Sequence, residues 1–292
     1  MIKSINLKAY AKINLGLDVI GKRPDGYHEV RMVMQTIKLH DKISINIINN
    51  PNIQIETNLH YLPTNENNIV YKAASLIREK NNITEGVHIN IEKKIPVSAG
   101  LAGGSSDAAA TLVGMNTLFD LGLSLEELMK LGVSLGADVP YCITGGTVLA
   151  EGIGEELTPL PPFPNCHILI VKPSINVSTK DVYGNLDLNT INDHPNIDGI
   201  VNGINKKDLY SSIDHFGNLL EYVTTNKYSE INQIKKSMIK HGALTSMMTG
   251  SGPTVFGIFD NKKTAEDAFY HFKVANFSHQ VFLTRPKSSP LF

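Results

Sequence analysis

A glycine-rich stretch that runs into an alanine-rich stretch carries the residue types that point most directly to chemistry. It extends from Pro96 to Ala110 and reads PVSAGLAGGSSDAAA. Glycines let a backbone turn sharply and approach a ligand closely, and the first turn of a helix offers free N–H groups and a positive dipole end to an anion. Ser105 and Ser106 stand where capping hydroxyls are expected. The pattern predicts a phosphate-binding loop; a glycine-rich linker beside a helix cap is the alternative.

The glycine spacing of this loop excludes two common nucleotide-binding patterns. It lacks the Gly-Lys-Ser/Thr ending of a P-loop, so no lysine inside it can reach the phosphates. It also lacks the Gly-x-Gly-x-x-Gly spacing of dinucleotide-binding folds. Positive charge must therefore come from elsewhere in the chain or from a metal ion bound to the nucleotide.

Lys12 and Asp138 are the side chains that could complete such a site. Lys12 lies beside Asn14 on the polar side of an alternating stretch, and the alternative is an ordinary surface lysine. Asp138 lies two residues before Pro140 and could accept a hydroxyl proton during phosphoryl transfer. The alternative for Asp138 is a carboxylate that caps a helix.

Hydrophobic periodicity predicts the elements that position these residues in the first half of the chain. Alternation over 11–20 predicts a half-buried strand that carries Lys12 and Asn14 on its polar face. Further strands are predicted at 29–39, 42–48, 53–57 and 87–91, and helices at 69–79 and 105–119. The order of strand, glycine loop and helix is the one that phosphate binding requires.

The second half combines strands and helices around another loop of small residues. Strands are predicted at 167–171, 243–248, 254–259 and 280–284, and helices at 209–224, 228–241 and 263–274. The asparagine-rich segment 186–207 is predicted to be a surface excursion. The loop Thr249–Thr254 connects two strands and could close over phosphates, or serve only as a hairpin connection. These patterns predict an α+β protein.

Composition is typical of a soluble globular protein of the cytoplasm. The 292 residues are 42% hydrophobic and 19% charged, and 27 Lys and Arg nearly balance 28 Asp and Glu. This balance argues against a nucleic-acid partner. No apolar run is long enough to span a bilayer, and the start does not resemble a signal peptide. Cys142 and Cys166 are predicted to be buried free thiols.

Three segments, in this order, resemble the GHMP kinase superfamily: Ala11–Leu15, Pro96–Ser106 and Thr249–Phe256. Two further segments, Arg23–Glu29 and Leu135–Pro140, are more specific. They are similar to the members of the superfamily that phosphorylate an alcohol bearing a cytidine diphosphate.

The resemblance implies a fold and a catalytic pair. It implies an N-terminal ATP-binding lobe over 1–160, like the second domain of ribosomal protein S5, and a ferredoxin-like lobe over 161–292. The active site would lie in the cleft between the lobes. Asp138 would be the general base and Lys12 its catalytic partner. ATP would be the phosphate donor and would bring Mg²⁺ with it, so no metal ion bound by the protein itself is expected.

The resemblance also implies ligand contacts. Asn14 would position the substrate, Tyr27 and Tyr183 would stack on the cytosine, His28 would hydrogen-bond it and Thr179 would lie nearby. Asn68 would contact the adenosine end of ATP. The ATP-binding loop would comprise Pro96, Val97, Ser98, Ala99, Gly100, Leu101, Ala102, Gly103, Gly104, Ser105 and Ser106.

This chain departs from the superfamily pattern at a few positions. Met34 replaces an aromatic residue that some relatives carry near the substrate, and Tyr183 replaces a phenylalanine. Ser98, Ala99 and Ala102 stand where other members have more glycine, which is tolerable provided that their φ angles are negative.

Two alternatives to the cytidyl kinase stay open. One is another small-molecule kinase of the superfamily, acting on a mevalonate derivative, homoserine or a sugar; Tyr27, His28 and Tyr183 argue against it, because only a cytidine-bearing substrate needs a base clamp. The other is a non-catalytic nucleotide sensor, which would need no proton acceptor such as Asp138. We expect a small-molecule substrate, no membrane partner, and a monomer or weak homodimer.

Overall fold

The computed structural model describes residues 3–274 and 280–288, and within them the chain forms two sheets covered by helices. The strands are β1 (Ser4–Lys22), β2 (His28–Ile48), β3 (Ile53–Thr57), β4 (Gly86–Glu92), β5 (Thr147–Glu151), β6 (Glu156–Pro159), β7 (His167–Lys172), β8 (Gly217–Asn218), β9 (Thr245–Met248), β10 (Val255–Phe259) and β11 (Gln280–Thr284). The helices are α1 (Ile69–Lys80), α2 (Gly103–Leu118), α3 (Leu125–Val133), α4 (Asp138–Thr144), α5 (Thr179–Gly184), α6 (Ile197–Asn205), α7 (Leu209–Ile213), α8 (Glu221–Lys227), α9 (Ser229–Lys240) and α10 (Lys262–Val274), with a 3₁₀ turn at Leu188–Thr190.

The larger sheet is built around the two long antiparallel strands β1 and β2. Its order is β3-β4-β2-β1-β8, and β5 pairs with β2 and β6 with β5. On the side opposite β2, β1 pairs with β8 only at Gly16 and Leu17. The pairing register of β1 shifts between Tyr10 and Lys12 and again between Asn14 and Gly16. Such irregularities re-aim side chains, and here they occur on either side of the segment predicted to carry the chemistry.

The smaller sheet is antiparallel and has the order β11-β7-β10-β9. Strands and helices alternate within it in the β-α-β-β-α-β manner of ferredoxin-like folds. Phe256 and Ile258 of β10 share a hydrophobic cluster with Ile13 and Leu15 of β1, so the two sheets are joined through a common core. The α+β fold predicted from the sequence is confirmed.

Between residues 11 and 19, β1 is buried on both faces, so the prediction of a half-buried strand over 11–20 is wrong. Ile13 is fully buried on one side, and Lys12 and Asn14 on the other side are only 4% and 0% exposed. Polar side chains deep in a core must find partners, and those of Lys12 and Asn14 find them in the candidate site.

The asparagine-rich segment 186–207 is more than a surface excursion. Its second part forms α6, whose Ile197, Ile200 and Ile204 are buried. The i, i+3, i+7 spacing of these isoleucines gives an amphipathic helix in spite of the polar composition around them. The apolar side packs on β1, where a β-carbon at Gly16 would lie 2.5 Å from Ile200 Cδ1.

The helix predicted over 209–224 is interrupted. It divides into α7 and α8, and the residues between them form β8, which pairs with β1. The free energy gained when β8 pairs with β1 therefore outweighs the local preference for helix. Both cysteines are buried free thiols as predicted. None of the helices in the described ranges is long and apolar enough to cross a membrane.

Candidate active site

The edge of β1 that faces away from β2 brings three distant parts of the chain together. The backbone N–H of Lys12 donates to the carbonyl of Leu101 at 3.1 Å. Two residues later, the N–H of Asn14 donates to Thr249 Oγ1 at 3.0 Å. Gly16 then pairs with β8. The glycine loop and the loop Thr249–Thr254 are thus docked side by side on one strand edge, and the three segments that resemble GHMP kinases meet at one place.

Lys12 and Asp138 form an ion pair at this meeting point. Lys12 Nζ lies 3.7 Å from Asp138 Oδ2 and donates a hydrogen bond to Asn14 Oδ1 at 2.8 Å. The lysine side chain is buried, whereas the carboxylate is about one-third exposed. Asp138 is the first residue of α4, and no side chain caps that helix. Asp138 therefore does not cap α4, and its role as a proton acceptor stays a prediction.

The glycine loop has a more strained backbone than the sequence suggests. Ser98 and Ala102 have φ angles of +51° and +54°, so the condition of negative φ angles set for these small residues is not met. A left-handed backbone at a non-glycine residue is uncommon and costs free energy. Strain of this kind concentrates at ligand-binding sites.

The expected capping by Ser105 and Ser106 is also wrong. The residue before α2 is Ala102, which makes no side-chain cap, and both serines lie inside the first turn and a half of the helix. Ser106 Oγ instead donates to the carbonyl of Tyr10 at 2.6 Å and fastens α2 to β1. Because no side chain caps α2, the N–H groups of its first turn are left for a ligand, and these groups favour an anion.

Gly100 allows the two loops to touch through their backbones. Its φ is +71°, and a β-carbon at this position would lie 2.3 Å from the carbonyl oxygen of Thr249 and 3.3 Å from that of Gly252. Only glycine permits both this conformation and this approach.

A cleft of about 1070 Å³ connects these parts. Lys12, Asn14 and Asp138 lie along it together with the glycine loop, except for Leu101 and Ser106, which are buried and do not line it. Tyr27, His28, Thr179 and Tyr183, predicted to bind the substrate base, also line it. The structure therefore brings the predicted catalytic, phosphate-binding and base-binding residues to one cavity of nucleotide size.

His28 and Tyr183 form the inner part of the predicted base site. Their ring centroids are 5.0 Å apart, with 36° between the ring planes. Burial lowers the pKa of His28, so the neutral ring is favoured. Burial, assisted by the charge of Asp138, raises the pKa of Tyr183, so its hydroxyl stays protonated. Tyr27 also lines the cleft and is 60% exposed, and its stacking on a base stays a prediction.

The remaining predicted contacts, Thr179 and Asn68, also line the cleft. Thr179 Oγ1 shares a hydrogen bond of 2.8 Å with Ser251 Oγ, which links α5 to the loop Thr249–Thr254. Asn68 caps α1 by accepting from the N–H of Val70, and its amide nitrogen donates to the carbonyl of Pro63. Its role at the adenosine end stays a prediction, since its amide already has backbone partners.

Met34 does not line the cleft. It is completely buried in the core, and the methionine that lines the cleft is Met32, whose sulfur accepts a hydrogen bond from Asn14 Nδ2 at 3.4 Å. The register shift between Asn14 and Gly16 lies beside this pair.

A buried charge cluster beside the glycine loop was not predicted from the sequence. Lys93 Nζ donates to Asp41 at 2.5 Å and to Asp107 at 2.6 Å, and all three side chains are at most 5% exposed. The other oxygen of Asp107 is buried without a hydrogen-bond partner in the described residues. Asp107, a carboxylate inside an apolar helix stretch, is the sequence signal that could have indicated such a cluster.

The electrostatics of this cluster follow from burial and from its net negative charge. Burial raises the pKa of Asp107, and the nearby charge of Lys93 opposes that rise. Burial lowers the pKa of Lys93, but the charges of Asp107 and Asp41 outweigh it and the pKa is raised. Lys93 therefore stays charged and lies under the start of α2, with Nζ 3.4 Å from the β-carbon position of Gly103.

The described residues contain no group of three or more His, Cys, Asp or Glu side chains that could hold a metal ion.

Comparison with known proteins assigns the family. The profile of the GHMP kinases N terminal domain matches residues 68–146, and that of the GHMP kinases C terminal domain matches residues 200–276. The 4-diphosphocytidyl-2-C-methyl-D-erythritol kinase of Lachnoclostridium phytofermentans is 63% identical over 96% of this chain and 97% of its own. The kinase of the same name from Clostridium perfringens is 52% identical over 98% of this chain and 99% of its own.

Solved structures show the same fold. A crystal structure of 4-(cytidine 5'-diphospho)-2C-methyl-D-erythritol kinase superposes with a TM-score of 0.82 at 28% identity, over 98% of this chain and 100% of its own. A homoserine kinase from Cytophaga hutchinsonii gives 0.79 at 20% identity, over 99% and 96%, and shares the fold alone. The chain belongs to the GHMP kinase family, within the group of 4-diphosphocytidyl-2-C-methyl-D-erythritol kinases.

Proposed function

We propose that this chain transfers the γ-phosphoryl group of ATP to the 2-hydroxyl of 4-diphosphocytidyl-2-C-methyl-D-erythritol. The observation that carries the proposal is the Lys12–Asp138 pair, placed in one cleft between the glycine loop and the His28–Tyr183 rings. The curated relatives at 52–63% identity bear this name over nearly their whole length.

The charges of the catalytic pair suit proton removal from an alcohol. Asp138 accepts the hydroxyl proton, and the oxygen attacks the γ-phosphorus in line. Lys12, buried and fixed by Asn14, offsets the negative charge that develops at the reacting groups. Most of the acceleration comes from positioning and from these fixed charges.

The glycine loop and the first turn of α2 hold the ATP phosphates through backbone N–H groups. Mg²⁺ bound to the phosphates supplies further charge neutralisation, and we assign it no side-chain ligand. Tyr27 and Tyr183 stack on the cytosine, His28 hydrogen-bonds it, and Thr179 lies beside it. Asn14 faces the cleft beside Lys12 and positions the alcohol.

The Asp138→Asn variant tests this proposal. It keeps the shape of the side chain but cannot take a proton, so kcat should fall about 10²–10⁴-fold while ATP affinity changes little. Release of ADP is measured with and without the cytidyl substrate, and ATP binding is measured by calorimetry. Asp267→Asn is the matched control, because Asp267 is exposed on α10 and does not line the cleft.

The outcomes separate the alternatives. Near-normal turnover by Asp138→Asn contradicts the assignment of the base. ADP release stimulated by homoserine or mevalonate, and not by the cytidyl alcohol, indicates another kinase of the family. ATP binding without any stimulated release indicates a sensor.

A further inference from the structure

Thr249 lies between β1, which carries Lys12 and Asn14, and the glycine loop. Its side chain is completely buried. Its hydroxyl oxygen accepts a hydrogen bond from the N–H of Asn14 at 3.0 Å. The same oxygen lies 3.4 Å from Asn14 Oδ1 and 3.4 Å from the carbonyl of Gly100, to either of which the hydroxyl can donate its proton.

Asn14 connects Thr249 to the catalytic pair of Lys12 and Asp138. Asn14 Oδ1 accepts from Lys12 Nζ at 2.8 Å, and Lys12 lies 3.7 Å from Asp138. Asn14 Nδ2 donates to Met32, which fixes which way the amide points. A displacement of Thr249 would therefore move the side-chain amide of Asn14 and, through it, Lys12.

The other side of Thr249 is held rigidly. Asn218 Nδ2 donates to the carbonyls of Met248 and Gly250, each at 2.8 Å, so the backbone on both sides of Thr249 is fixed. Thr249 itself does not line the cleft, whereas Gly250 and Ser251 do. Its hydroxyl is thus placed to orient other residues and not to touch a ligand.

We propose that Thr249 is a positioning residue: its hydroxyl orients Asn14, and through it Lys12, and ties this orientation to the glycine loop. The proposal rests on the proposed function, since it assigns Lys12 and Asp138 their roles. The loop that binds phosphate and the side chains that perform the chemistry then share one hydrogen-bonding centre.

The Thr249→Val variant removes the hydroxyl and nearly keeps the shape. Misplacement of a catalytic group by about 1 Å can cost on the order of 100-fold in rate, so kcat should fall about 10–100-fold while KM for ATP stays within about threefold. Thr249→Ser keeps the hydroxyl and should restore kcat to within about threefold of the parent. A residue with a packing role alone would not show this rescue.

Thr254→Val is the matched control. Thr254 lies at the other end of the same loop and is equally buried, but its hydroxyl has no partner in the described part of the chain. Loss of that hydroxyl should leave kcat unchanged and should not lower the melting temperature.

A double-mutant cycle with Asn14→Ala tests the route through Asn14. If Thr249 acts through that amide, adding Thr249→Val to Asn14→Ala should cost less than about twofold more in kcat. Fully multiplicative losses in the double variant overturn the proposal.

Three other results overturn the proposal: a folded Thr249→Val with normal kcat, a Thr249→Ser as slow as the valine variant, or a Thr254→Val as slow as Thr249→Val. Should the valine variant not fold, Thr249→Ser decides, because a folded serine variant slowed more than about tenfold contradicts the role of the hydroxyl. Normal turnover by Asp138→Asn would refute the proposed function, whereas normal turnover by Thr249→Val with an inactive Asp138→Asn refutes only the role of Thr249.

Discussion

Replacing Gly100 with alanine should separate the two loops of the site. A β-carbon there would lie 2.3 Å from the carbonyl oxygen of Thr249, and β-carbons essentially never approach another atom closer than 3.0 Å. The loops must therefore move apart by about 0.7 Å. Neither partner can rotate away as a flexible side chain could, because the neighbouring atoms belong to the backbones of Thr249 and Gly252.

The cost has two parts. The left-handed conformation of residue 100 costs an alanine about 1–2 kcal/mol, and overpacking of a tight contact costs about 1–3 kcal/mol. We expect Gly100→Ala to lower the free energy of unfolding by about 2–5 kcal/mol. It should also raise KM for ATP, because the loop that we propose to bind the phosphates is displaced from the edge of β1.

Chemical denaturation without nucleotide measures the stability change, and ADP release at varied ATP concentrations measures KM. Gly104→Ala is the control for stability, since the nearest atom to its β-carbon position is Ile69 Cγ2 at 3.6 Å and its backbone is helical. That variant should be neutral or up to about 1 kcal/mol more stable. The reasoning is refuted if Gly100→Ala unfolds with the same free energy as the parent and keeps its KM for ATP.

Two further expectations concern charge. Lys93→Met leaves the buried carboxylates of Asp41 and Asp107 without a counter-charge, so the free energy of unfolding, measured by chemical denaturation, should fall by about 3–5 kcal/mol. Lys42→Met is the control: it removes the exposed pair with Glu92 and should cost less than about 1 kcal/mol. Equal losses in the two variants would contradict the argument. Burial lowers the pKa of His28 below its usual 6.5, so the unfolded chain binds more protons at this residue and stability falls as the pH drops below about 6.5. His28→Gln should therefore lose less stability than the parent between pH 7.5 and pH 5.5. An identical loss in the two proteins would contradict this expectation.

The sequence was sufficient to predict most elements and the order of strand, glycine loop and helix. Alternation identified strands such as β4, in which buried and more exposed residues alternate along most of the length. The pairing of Lys12 with Asp138 came from the resemblance to a family, since their separation along the chain gives no local signal of contact. The structure places them 3.7 Å apart.

The structural features that could not be predicted from the sequence depend on contacts between residues that are distant along the chain. The role of Thr249 needs the docking of its loop on β1. The positive φ angles of Ser98 and Ala102 run against the local preference of these residue types. The Lys93 cluster joins three separate elements, so no short pattern contains it. α6 was missed because its asparagines conceal three isoleucines at helical spacing.

The partially paired edge of β1 has a consequence for how the protein is made. During synthesis the N-terminal part folds first. Until residues 217–254 leave the ribosome, the N–H of Asn14 lacks its partner Thr249, and Gly16 and Leu17 lack their pairing with β8. An open strand edge is a template for association with other chains. The same late residues that complete the active site also cover this edge, so a nascent chain gains protection from aggregation and catalytic competence in one step.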